Sequence, residues 1–146
     1  MPGRLIRVRT GRHPHEIVVV AATILLGIIG AIAPESISDA VANEFPWPWY
    51  MTFWIAMALS CSITMWGILN HKIEGLLIER AGLTMQAALF GVYIYCVASY
   101  SGLAGLVAMT LPFAFAIGSL ARCWQIRRDL ALLTAYLKDH PGEQVR

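Results

Sequence analysis

Few side chains in this sequence could do chemistry, and their spacing suits none. The three cysteines, Cys61, Cys96 and Cys123, include no close pair of the kind that makes a redox or zinc motif. Two fall in apolar blocks and one at a block boundary, so each is expected to pack as a small hydrophobe. His13, His15 and His140 lie in the terminal segments without metal-ligand spacing, and His71 stands beside Lys72 and Glu74 as a solvated loop residue. Gly-rich phosphate loops, nucleophile elbows and paired carboxylates are absent. The expectation is therefore no catalytic residue, no cofactor and no metal. One pattern rises above background. Thr52, Ala56, Ser60, Thr64, Gly67 and Asn70 fall within an arc of roughly 120° if the segment is helical, at about 100° per residue. Such a stripe either lets two helices approach closely or, in an oligomer, lines a wet lesion. Packing is the expected use.

The elements that carry this stripe are dictated by composition. Of 146 residues, 58% are hydrophobic and 14% charged, against roughly 45–50% and about 25% in soluble domains. The apolar residues form long blocks, and the charges sit between and outside them. Ile17 to Pro34 is uncharged, as are Phe45 to Asn70 and Ala81 to Ala121. A crossing helix needs about 17–25 apolar residues. The third block is about twice that length, and Ser99-Tyr100-Ser101-Gly102 is its natural break. The expected fold class is all-α: a polytopic membrane protein, a single domain over 1–146. Its four-transmembrane-helix bundle has spans near 17–33, 49–70, 82–100 and 103–121. Pro112 should kink the fourth span without ending it. The first block could also be a cleaved signal peptide ending at Ala31-Ile32-Ala33. Pro34 would follow the cut and is a poor peptidase substrate, so an uncleaved anchor is expected.

Placement of the 11 Lys and Arg residues orients these spans. Arg4, Arg7, Arg9 and Arg12 precede the first. Lys72 and Arg80 lie in the second loop, and Arg122, Arg127, Arg128, Lys138 and Arg146 follow the fourth. The other two loops carry none. The positive-inside rule then puts the N-terminal arm 1–16, the second loop and the tail 122–146 in the cytoplasm of a bacterial cell, with the protein in the inner membrane. Trp47, Trp49, Trp54, Trp66 and Trp124 fall near span ends and read as interfacial anchors.

Two amphipathic helices are expected outside the bilayer. The outer loop 34–45 repeats Ile37, Val41 and Phe45 against an acidic face and should lie flat on the bundle or bilayer. The tail places Ile126, Leu130, Leu133 and Leu137 at 4-3-4 spacing, which suits a prolongation of the fourth span over anionic lipid or a self-association handle. No Asp, Glu, Lys or Arg lies within a proposed span. That argues against a proton-coupled transporter. It also argues against the small multidrug exporters, whose first span needs an embedded Glu where this chain offers only Thr23. The expected partners are the lipid bilayer and further copies of the chain. Nucleic acid is excluded, and no small-molecule substrate is indicated.

Three passages carry a resemblance: the Arg-rich leader, Ala-Pro-Glu-Ser-Ile (33–37) leading to Pro-Trp-Pro-Trp-Tyr (46–50), and Leu-Leu-Ile-Glu-Arg-Ala-Gly-Leu (76–83) entering the third span. In this layout the chain resembles the small four-span membrane proteins of actinobacterial bacteriophages, some of them holin-like. The resemblance implies a protein without enzymatic activity that oligomerises to permeabilise the inner membrane. Rival expectations are an accessory membrane protein (an exclusion factor or antiholin-type regulator) and a small channel or export subunit.

Overall fold

The computed structural model describes residues 14–33, 37–70 and 72–139, and the chain is all-helical through them. In order, α1 is Pro14–Ile32, α2 Asp39–Glu44, α3 Trp49–Leu69, α4 Ile73–Ser101 and α5 Leu106–Asp139. A 3-10 turn, Gly102–Gly105, joins the last two. Pro14 opens α1 where a missing N–H costs nothing. The chain reverses after α4 at Gly102, whose φ of 54° is a conformation side chains oppose. Trp49–Leu69 and the helical stretch Ile73–Tyr136 are long and apolar enough to cross a membrane, and the apolar part of α1, Glu16–Ile32, is shorter. The Arg-rich arm, the start of the outer loop at Pro34 and Glu35, His71 and the last residues from His140 lie outside the described residues.

The four long helices pack in the order α1, α3, α4, α5. Glycines set the first two contacts. A Cβ on Gly27 would strike the Ala58 backbone, and one on Gly30 would strike the Trp54 ring. Between α3 and α4 the close points are Gly67 against the Glu79 backbone and Gly82 against Thr64. Gly91 and Gly118 have open space instead, so the small-residue pairs Ala87/Gly91 and Ala114/Gly118 are not close-approach points within the protomer.

The helix bounds depart from expectation at the start of α4. α4 begins at Ile73 rather than near 82, which carries Glu74, Glu79 and Arg80 into the helix. α5 runs without interruption to Asp139, so the amphipathic tail prolongs the preceding helix, and Pro112 sits inside it. Charges told where apolar sequence stops, but a helix with satisfied backbone bonds continues past that boundary.

The short α2 docks on the bundle. Val41 is fully buried, and together with Ala40 it joins Phe53, Trp54, Met57, Phe90, Cys96 and Val97 in the main core. Trp54 corrects the expectation of five anchors: only 4% of it is exposed, its ring edge-on to Phe53 at 5.1 Å. Its place one turn inside α3, opposite Gly30, puts it in the helix contact. Trp47, Trp49, Trp66 and Trp124 are exposed, and the Arg128 guanidinium lies 5.8 Å from the Trp124 ring centre.

Candidate functional site: a cavity between α1 and α5

The stripe on α3 does not act as one surface. Thr52 is exposed and Ala56 and Asn70 are half-buried, whereas Ser60, Thr64 and Gly67 are buried against α4. Ser60 Oγ donates to the Met57 carbonyl at 2.9 Å, and Thr64 Oγ1 donates to the Ser60 carbonyl at 3.0 Å. Both hydroxyls are thus satisfied by their own helix, the arrangement that lets a small polar side chain sit in a close contact. Within the protomer these residues face a helix, not a lumen. Ser60→Leu should therefore overpack the α3–α4 contact and cost about 1–3 kcal/mol. Thr52→Leu should leave stability unchanged. Thermal melting of the purified variants in detergent measures both; equal melting would mean that Ser60 is not in a tight contact.

The face of α4 that meets α3 carries Gly75, Glu79, Gly82 and Gln86, all buried and at 4-3-4 spacing. The two glycines let the helices approach, and the two long polar residues then have no route to water along that face. Glu79 is 1% exposed and forms an ion pair with Arg122 of α5, whose Nε donates to Oε1 at 3.0 Å. The Arg122 side chain is itself only 14% exposed. Its Nη1 reaches Gln125 Oε1 at 3.4 Å, and its Nη2 is buried without a hydrogen-bond partner. Gln86 is 3% exposed and its Oε1 likewise has no partner. One turn along from Arg122, Ile126 seals the contact against Leu76 and Leu83. Beside it the Cys123 thiol lies 3.6 Å from the Arg80 carbonyl and 3.5 Å from Thr84 Oγ1.

Of these residues Glu79, Gln86 and Arg122 line a cavity of about 230 Å³. α3 and α4 supply its floor through Thr64, Glu79 and Gln86. The walls come from α1 (Glu16, Val19, Val20) and α5 (Phe115, Gly118, Arg122), and these two helices do not pack extensively on each other. The void exists because the row of helices does not close. Sequence reasoning placed Glu79 and Arg122 in solvated loops and tail and gave Gln86 no role. The shared face of Gly75, Glu79, Gly82 and Gln86 was the signal available. Among the described residues no cluster of His, Cys, Asp and Glu could hold a metal ion, and the three cysteines are free.

Compared with known protein families, curated proteins and solved structures, the chain matches none.

Proposed function

We propose that the chain is a multi-pass membrane protein with four crossing helices and both termini cytoplasmic, which acts by assembling in the bilayer in a holin-like manner and not by catalysis. The observation that carries this reading is the bare apolar surface at the start of α5. Leu103 in the preceding turn and Val107 are 82% and 86% exposed, and Leu111, Phe113, Ile117 and Leu120 of α5 are exposed as well. A soluble monomer rarely leaves so large an apolar patch bare. Lipid or another copy of the helix satisfies it, and a helix surface with no charge from Leu106 to Ala121 can exchange one for the other at little cost. The basic residues Arg127, Arg128 and Lys138 on the continuation of α5 suit the anionic inner leaflet.

Inducible expression in a bacterium, with membrane potential and viability followed over time, tests the reading. The expected result is fractionation with the inner membrane, then abrupt depolarisation once a threshold amount has accumulated. Membrane insertion with indefinite growth at normal potential would overturn the holin-like role and leave an accessory membrane protein. Recovery in the soluble fraction would overturn the membrane reading as well.

A further inference from the structure

Ala114 and Gly118 stand one turn apart on α5, and both line the cavity between α1 and α5. A Cβ on Gly118 would meet no atom within 4 Å. The missing side-chain volume at these positions, together with the failure of α1 and α5 to pack on each other, leaves the space. Most of the remaining wall is apolar, from Val20 of α1, Ile68 of α3, Leu83 of α4 and Phe115 of α5. The polar residues beside it have their partners elsewhere. Thr64 Oγ1 donates to the Ser60 carbonyl, and Glu79 pairs with Arg122. Arg122 Nη2 and Gln86 Oε1 have no exposed surface, so neither is presented to the cavity. The wall therefore suits an apolar occupant.

Size and place narrow that occupant. An apolar cavity of about 150 Å³ stays dry and accepts benzene. The volume here, about 230 Å³, is half as large again. A helix, about 10–12 Å across with its side chains, is too thick for it. From Ala114 to Arg122 the α5 wall rises about 12 Å. One leaflet, half of a ~30 Å hydrocarbon core, has nearly that depth. The opening lies on the side of the bundle, where lipid stands in the membrane reading. Under the positive-inside orientation Glu16 and Arg122 mark its inner end. Left empty, the void forfeits the dispersion contacts of its lining, and a thin flexible hydrocarbon restores them.

We infer that this cavity holds a single acyl chain of an inner-leaflet lipid, drawn in between α1 and α5 with its ester end at the level of Glu16 and Arg122. The inference rests on the membrane reading but is independent of lysis. It gives the Ala114/Gly118 pair a use, which is to make room for lipid and not to bring two helices together.

The test uses the full chain reconstituted in bilayers of phosphatidylcholine that carries a photoactivatable diazirine along one acyl chain. After illumination the labelled residues are mapped by mass spectrometry. Ile68 and Leu83 are 5% and 8% exposed and line the cavity, so labelling there reports a chain inside it. Val107, 86% exposed, reports ordinary lipid contact. The wild-type chain should be labelled at all three. Gly118→Leu and Ala114→Leu, which put side chains into the gap, should each lose the labelling of Ile68 and Leu83 and keep that of Val107. Gly91→Leu, in open space on α4 away from the cavity, should keep all three. Labelling of Val107 alone in the wild-type chain would overturn the site, as would persistence of the Ile68 and Leu83 labels in both filled variants. Loss of those two labels as the protein-to-lipid ratio rises would assign the gap to a second copy and overturn it too. A chain that stays out of bilayers, with Val107 unlabelled as well, would sink the membrane reading and the site with it.

Discussion

Arg122→Leu should destabilise the bundle by about 3–5 kcal/mol, the range for removing one partner of a buried ion pair. The reason lies in Glu79, which is 1% exposed and stays buried when the guanidinium 3.0 Å away is deleted. The remaining carboxylate must then either keep its charge in a poor medium or take up a proton, and both cost free energy. The loss should appear as a large fall in the melting temperature of the purified protein, followed by circular dichroism in detergent. Coupling Arg122→Leu with Glu79→Gln should recover most of it, because two neutral groups of similar shape replace two charges. If the single variant melts like the wild type, the pair does not hold α4 to α5. If the double variant is as unstable as the single, the lost packing of the Arg122 stem is responsible.

Gly82→Val should be nearly as damaging, for a steric reason. A Cβ at Gly82 would lie 2.6 Å from the Thr64 nitrogen and 2.9 Å from the Ser60 carbonyl oxygen. Backbone atoms in a helix cannot rotate aside as a side chain can, so α3 and α4 must separate. The expected cost is about 3 kcal/mol, the upper part of the range for overpacking, measured by the same melting experiment. Gly91→Val supplies the control, since no atom lies within 4 Å of a Cβ there. Similar melting of the two variants would show that the α3–α4 contact is looser than the structure indicates.

Both substitutions mark the boundary between what was legible in the chain and what was not. α3 was legible almost to the residue, expected at 49–70 and found at Trp49–Leu69, because Pro48 and Asn70 bracket an uninterrupted apolar block. The start of α4 was not. Glu74, Glu79 and Arg80 read as loop charges, since a pattern of charge marks the edge of apolar sequence and carries no information on where hydrogen bonding continues. The α3 stripe was legible as a face, but only its inner part, Ser60, Thr64 and Gly67, found a partner in α4. Thr52 is exposed although Phe53 and Trp54 beside it are buried with α4 residues in the main core.

The sequence by itself determined the class of this protein: long apolar blocks cannot be held in water, so they must become helices that hide their backbone and meet lipid or each other. It also set every Lys and Arg in alternate segments outside the apolar blocks, because that is a property of order along the chain. Only the tertiary structure decided what the charges do. Glu79 and Arg122 are 43 residues apart, and no local pattern pairs them. The pairing follows from the depth at which α4 and α5 are set side by side, which depends on packing along their whole length. The cavity beside them has the same origin, as a gap left where α1 and α5 fail to meet.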